Sequence, residues 1–261
     1  MSLITLVTDF GTCDQYVGAI KGVIHQLAPK ATVVDITHDI EPRNILRAAF
    51  VLRHVWPWYP RGTVHVVVVD PGVGSARQIL VGRYAGQYVV APDNGVITLV
   101  HRDLPLEALC VAEDRRNFLP KVSATFHGRD IMAPLAAKLS EGMSITKVGP
   151  PTDHVKVLSL PTPDYRPEHV MAGTILFVDR FGNLVSNISR EDLASTLRHR
   201  PSAQVYLDGV CIGPIRTHYA EVPSGKPLAL IDSTDYLEIA VNGGSAAERF
   251  QPAGDAVVEV R

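Results

Sequence analysis

Cysteine is scarce and never closely paired. Cys13, Cys110 and Cys211 are odd in number and far apart, with no CxxC spacing, so neither a disulfide framework nor a thiolate metal site is indicated. Charge of one sign is not in excess either. Across 261 residues, 25 Lys and Arg stand against 27 Asp and Glu, a net charge of -2 that gives no general attraction for nucleic acid or an anionic membrane. No apolar run is long enough to cross a bilayer, and the opening MSLITLVTDFG lacks the basic start of a secretory signal, so a cytoplasmic protein is the expectation. Several chemical signatures are missing as well. GVGSAR has the first two glycines of a dinucleotide fingerprint, but its third position is Arg77 and a strand pattern, ILVG, follows in place of a helix. SGKP lacks the upstream glycine and the following hydroxyl of a P-loop, and neither HExxH nor GxSxG occurs.

What is present is ordinary globular composition, 46% hydrophobic and 20% charged, in two distinct patterns. The first half alternates strands with helices. LITLV reads as a strand, Gln15 to Leu27 as a helix with Val17, Ile20, Val23, Ile24 and Leu27 on one face, and ATVVDI as a buried strand. A second helix is expected from Asn44 to about Val55, then the continuously apolar TVHVVVV as a third strand. QILVGRYAGQYVVAPDNG reads as a hairpin around Ala85 to Gln87, and RDIMAPLAAKLSEG as a helix closed by Gly142. After a proline-rich stretch, the second half is short strands (ILFVD, LVSNI, AQVYLDGV, LALID, YLEIAV, AVVEV) separated by turn residues. The expectation is an α/β N-terminal domain over 1–157, with a mixed, mainly parallel sheet and flanking helices, and a smaller all-β barrel over 171–261. A Pro-rich linker over 158–170 joins them.

Polar residues gather at strand ends. Asp9 follows LITLV, Asp70 follows VHVVVV, Asp93 and Asn94 follow YVVA, and His127, Arg129 and Asp130 precede a helix. In open α/β sheets ligands bind beyond the carboxyl ends of the strands, so these positions are candidates for one site. Each also has a plain structural reading: Asp9 as a turn residue, Asp14 as a helix cap, Asp70 with Arg77 as an ion pair closing the glycine turn, His127 as a satisfied core histidine. Composition alone favours reading Phe181 and Asn183 in DRFGNL as a turn between two barrel strands.

Seven blocks occur in order along nearly the whole chain: TDFGTCDQYVGAIKG, VVDITHDIEPRNI, VVVVDPGVGSAR, APDNG, TFHGRDIMAP, DRFGNLVSNI and YLEIAVNGGSA. Together they closely resemble the S-adenosyl-L-methionine (SAM) hydrolase family, the SAM hydroxide adenosyltransferases, related to the SAM-dependent fluorinase and chlorinase. The resemblance implies hydrolysis of SAM to adenosine and L-methionine by water or hydroxide attacking ribose C5′. It implies no cofactor and no metal, and a homotrimer whose sites lie between subunits. It also implies a catalytic Asp70, Arg77 and His127. Asp9 corresponds to a carboxylate on the ribose hydroxyls, and Asp14 and Ser233 to groups at the methionine end. Phe181 and Asn183 correspond to the adenine contacts, with Glu238, Val241 and Asn242 closing over the base. Where the halogenases carry Tyr and Thr along the glycine turn this chain has Asp70 and Val73, and where they carry Tyr-Ser it has His127 and Gly128. It also lacks their inserted loop. Arg43 and Thr234 depart from the halogenase pattern too. Three other functions remain open on the residues alone: a halogenase, a non-catalytic SAM or adenosine sensor, and a metal-dependent hydrolase using Asp9, His38, Asp70, Asn94 and His127.

Overall fold

Runs of β-branched residues too apolar to face water fix the middle of the first unit. The computed structural model describes residues 2–261 and divides after Leu158 into two units. In the first, β1 (Leu3–Thr8), α1 (Tyr16–Leu27), β2 (Thr32–Thr37), α2 (Ile45–Val55) and β3 (Val64–Val68) alternate. A hairpin of β4 (Ile79–Tyr84) and β5 (Gln87–Pro92) follows, then α3 (Thr98–Asp103), β6 (Leu106–Val111) and α4 (Ala133–Ser140). The sheet order is β2-β1-β3-β5-β4-β6. Pairings are parallel from β2 through β5 and antiparallel from β5 to β6, so the sheet is mixed.

Strand periodicity sorts the apolar residues into two layers. Val64, Val66 and Val68 of β3 pack with Ile20 and Ile24 of α1 and Leu135 and Leu139 of α4. Val67 and the following Val69 face the other way, with Ala48 and Leu52 of α2. A strand buried on both faces needs no polar alternation, which is why its sequence shows none. Asn44 starts α2 by accepting the Arg47 N–H at 2.9 Å. Ala85 and Gly86 both take positive φ, 47° and 82°, as a two-residue turn matched to strand twist requires.

His65 is the polar exception inside β3. Its side chain faces the α2 layer, with its ring 4.5 Å from that of Trp56. Gln87 donates its amide N–H to the Trp56 carbonyl at 3.1 Å, which turns Gln87 Oε1 toward His65 Nε2 at 2.8 Å. His65 therefore donates from Nε2 and accepts from the Thr5 hydroxyl at Nδ1, 2.7 Å away. Burial pushes its pKa from 6.5 down to about 4, against a smaller opposing effect of the Gln87 bond. Between those values the unfolded chain binds a proton that the folded chain refuses. This contribution, about 3 kcal/mol in full, is present above pH 6.5 and lost as pH falls toward about 4. The expected result is a denaturation midpoint that declines over that window while the His65 ring, followed by NMR, stays neutral. A ring that titrates near 6.5 in the folded protein contradicts this.

The second unit contains β7 (Asp164–Arg166), β8 (Val170–Val178), β9 (Leu184–Ser189), α5 (Arg190–His199), β10 (Gln204–Leu207) and β11 (Val210–Arg216). It ends with β12 (Pro227–Ile231), β13 (Tyr236–Val241), α6 (Ala246–Phe250) and β14 (Val257–Val260). Strands run in the order β14-β10-β11-β12-β13-β9-β8, and a β14–β8 pairing closes them into a seven-stranded barrel. β7 adds to the outside of β8. Leu184, Ile188, Val205, Leu237, Ile239 and Val258 fill the interior.

Several elements differ from the sequence reading. The stretch read as a linker holds β7, whose residues are all exposed and so carry no apolar signal. AQVYLDGV is not one strand: Asp208 and Gly209, at φ 47° and 78°, form a tight turn between β10 and β11. The short α3, the edge strand β6 and α5 are elements beyond those the apolar sequence pattern marks. For α5 a signal existed, because Ser189 and Asp192 form a reciprocal capping box. The helix read from RDIMAPLAAKLSEG begins as a wider π-helical turn over Gly128–Met132 before α4.

Candidate active site

Asp9 and Asp70 emerge from neighbouring parallel strands whose last paired residues are Thr8 and Val68. The strand order reverses there, since β1 leads outward to β2 on one side and β3 lies on the other. Such a reversal leaves a crevice at the carboxyl edge. The crevice here has a volume of about 370 Å³, with Asp9, Phe10, Arg43, Asp70, Phe126 and His127 among its walls.

The glycine-rich turn carries the chain back on itself. Asp70 O accepts the Val73 N–H at 3.2 Å, and Gly72 O accepts the Ser75 N–H at 3.1 Å. Gly74 sits at φ 79°, and a Cβ there would lie 2.3 Å from the Ala124 carbonyl oxygen. The turn returns Arg77 to the carboxylate it started from. Arg77 Nε donates to both Asp70 oxygens at 2.9 Å, and Nη2 donates to Asp70 Oδ2. The same Nη2 lies 2.8 Å from His127 Nδ1. Asp70 and Arg77 are 5% and 10% exposed at their side chains, so the pair is largely desolvated.

Arginine is a donor only, so His127 Nδ1 accepts, and the proton of the neutral ring sits on Nε2. Burial first, and then the Arg77 cation, lower the His127 pKa, while the charges of Asp70 and Asp130 oppose them. The imidazole is thus held neutral at physiological pH. Its backbone is fixed from below. Asp130, fully buried, accepts the Ser123 N–H at 2.7 Å and the Arg129 guanidinium at 2.6 and 3.0 Å. A Cβ on Gly128 would meet Val68 Cγ1 at 2.8 Å, so the loop bearing His127 lies directly on β3.

Asp9 Oδ2 accepts the Arg43 N–H at 2.9 Å, with Arg43 itself at φ 68°. Asp9 also lines the crevice. Asp14 is exposed and does not cap α1; Gln15 holds the cap position, without a side-chain bond. Phe10, Tyr16 and Phe126 form a cluster with ring centroids 5.2 to 5.9 Å apart, and sequence reasoning missed it as part of the crevice. The one available signal is the adjacency of Phe10 to Asp9 and of Phe126 to His127.

The other strand-end residues have structural duties. Asn94 donates to the Val69 carbonyl at 2.9 Å, and Asp93 accepts the Lys156 N–H at 2.8 Å. His38 Nδ1 meets the Thr8 hydroxyl at 2.9 Å, and its Nε2 lies 3.1 Å from Asp35. Asp9, His38, Asp70, Asn94 and His127 therefore do not converge as a ligand set. Among the described residues no three His, Cys, Asp or Glu side chains gather with metal-holding geometry.

In the barrel unit, the turn between β8 and β9 presents the Phe181 ring, 77% exposed, and a buried Asn183. Glu238 on β13 is buried and accepts the Tyr219 hydroxyl at 2.8 Å. Burial above all, with the charges of Asp179 and Asp232, raises its pKa to about 7. Val241 belongs to the barrel core by its side chain, leaving only its main chain for any ligand. Asn242 is committed through Nδ2 to the Val222 carbonyl at 2.7 Å, and Ser233 is exposed.

Fold and site define a two-domain enzyme: an α/β unit whose crevice is walled by a carboxylate and a neutral imidazole that a guanidinium bridges, followed by a closed barrel. Residues 4–149 match the family model for the SAM hydroxide adenosyltransferase N-terminal domain, and residues 173–259 match that for the C-terminal domain. The chain belongs to the SAM hydroxide adenosyltransferase family. It is 37% identical over 252 residues to the (R)-S-adenosyl-L-methionine hydrolase of Salinispora arenicola, covering 94% of this chain and 92% of the relative. It is likewise 37% identical to the (R)-S-adenosyl-L-methionine hydrolase of Thermus thermophilus, covering 95% of each. Identity to the fluorinase of an Actinoplanes species is 26%, over 94% of this chain and 92% of that one. Among solved structures, an uncharacterized conserved protein from Thermotoga maritima superposes with a TM-score of 0.90 at 35% identity, covering 99% of both chains. No helix among the described residues is long and apolar enough to cross a membrane.

Proposed function

We propose that the protein hydrolyses SAM to adenosine and L-methionine, with water attacking ribose C5′. The observation that carries this reading is that Arg77 bridges Asp70 and His127, both of which line the crevice. The new bond joins the water oxygen to C5′, and the C5′–S bond breaks with its electron pair going to sulfur. Methionine leaves as a neutral thioether, so the leaving group needs no general acid. The nucleophile does need help, because water has a pKa near ~15.7. Asp70 Oδ1 accepts one bond from Arg77 and keeps a lone pair for the water proton. Arg77 stays protonated and, with His127 Nε2–H, stabilises the developing hydroxide. The charges of hydroxide and sulfonium cancel in the transition state, which a water-poor crevice favours.

Asp9, with one oxygen steadied by Arg43, takes the two vicinal ribose hydroxyls, a task one carboxylate can perform alone. Phe181 stacks on adenine and Asn183 bonds its edge, with Glu238, Val241 and Asn242 around the base. Asp14 and Ser233 serve the methionine end. We assign a homotrimer with active sites between subunits, acting in the cytoplasm without cofactor or metal. The test is incubation of purified protein with SAM in chloride buffer without added metal, with products separated by chromatography and identified by mass. Adenosine plus methionine is the expected result. Intact SAM bound stoichiometrically overturns it in favour of a sensor, and chlorodeoxyadenosine in favour of a halogenase.

A further inference from the structure

Asn183 has an unusually constrained side chain. Asp179 Oδ1 accepts the backbone N–H groups of Phe181 and Asn183, each at 2.8 Å. Asp179 Oδ2 accepts Asn183 Nδ2 at 3.1 Å. Glu238, which pairs with Val185 across β13 and β9, is a second carboxylate near the same amide, and it lowers its own charge cost through Tyr219. The Asn183 amide thus turns its NH₂ toward carboxylates, which only accept, with the bond to Asp179 fixing its sense. Oδ1 has no partner among the described residues. Flipping the amide would turn an oxygen toward two carboxylates and leave its hydrogens unused. The turn itself cannot shift to accommodate that, since a Cβ on Gly182 would lie 2.2 Å from Ser245 Oγ and its carbonyl accepts the Ala247 N–H at 2.9 Å.

We propose that Asp179 and Glu238 are positioning residues that hold Asn183 with Oδ1 outward beside the exposed Phe181 ring, and so select a 6-amino purine over a 6-oxo purine. The inference rests on the assignment of Phe181 and Asn183 to the base. A fixed acceptor matches the N6 amino hydrogens of adenine, whereas hypoxanthine presents an oxygen at that position. Two acceptors face to face repel, and neither can turn away. Discrimination built this way works by an unfavourable contact with the wrong base as much as by a bond to the right one.

The geometry makes Asp179→Asn an informative change. The two backbone N–H groups keep an oxygen at the Oδ1 position, so the new NH₂ must occupy the Oδ2 position and donate toward Asn183. Asn183 then meets it best with its own oxygen turned inward and its NH₂ outward. Binding of adenosine and inosine to the full-length protein, measured by calorimetry, reads the outcome. The unsubstituted protein is expected to prefer adenosine by at least ~10-fold, and Asp179→Asn to lose most of that preference. Glu238→Gln, which leaves the bonds of the turn intact, is expected to move the ratio in the same direction and decides the matter if Asp179→Asn does not fold. Folded variants that bind adenosine with an unchanged ratio overturn the proposal alone. An unsubstituted protein that binds neither nucleoside overturns the assignment of the base as well.

Discussion

Asp70→Asn is expected to lower kcat/KM for SAM by about 10³-fold, the scale of losing a positioned base in a desolvated site. Asparagine keeps the shape of the side chain and removes its charge, so the water loses its acceptor and Arg77 its counter-ion together. Arg77→Lys tests the other half of the arrangement. One ammonium cannot reproduce the fork that reaches both Asp70 oxygens and His127 Nδ1, and a loss of about 10²-fold is expected although the charge is retained. Initial rates of adenosine release, with the melting temperature of each variant recorded alongside, provide the measurement. Turnover of Asp70→Asn within tenfold of the unsubstituted protein removes the carboxylate from the role of base.

Gly74→Ala is expected to damage both stability and activity. At φ 79° a side chain costs about 1–2 kcal/mol by itself. The Cβ would also press to within 2.3 Å of the Ala124 carbonyl oxygen, which is backbone and cannot rotate aside. A total of about 3 kcal/mol corresponds to a fall of roughly 10 °C in melting temperature. Because Ala124 leads through Thr125 and Phe126 to His127, relief of the overlap moves the imbalance onto the imidazole and activity falls with it. Gly142→Ala is the control. It has a similar φ of 94° with nothing within 4 Å of the added carbon, so it carries the conformational cost alone and leaves activity intact. Equal melting temperatures for the two variants would show that the contact at Ala124 does not matter.

Legibility in the sequence followed the physical origin of each signal. The continuous valines of β3 and the one-sided faces of α1 and α2 record burial, which composition reports directly. β7 and the exposed start of β6 are held by main-chain pairing, which leaves little trace in side chains. α5 is marked by Ser189 and Asp192, a local capping bond on a helix with little apolar face. Strand ends marked Asp9 and Asp70 as candidates, since two apolar runs finish there. Nothing local in the sequence reports the contact between Arg77 and His127, 50 residues apart; the resemblance alone grouped them. The aromatic cluster of Phe10, Tyr16 and Phe126 likewise exists only because the fold brings two distant loops together.

Asp9 and Asp70 stand just beyond the ends of adjacent parallel strands, and such strands lie about 4.8 Å apart. The sheet is thereby a ruler. The spacing of the two main-chain positions that carry Asp9 and Asp70 is a backbone constant, insulated from loop length. In the proposed reading a furanose spans that graduation, because its hydroxyl-bearing edge and its exocyclic carbon lie a fixed distance apart. On that reading, diversification of this scaffold is free to change what attacks and what leaves, while the sugar between them stays the same.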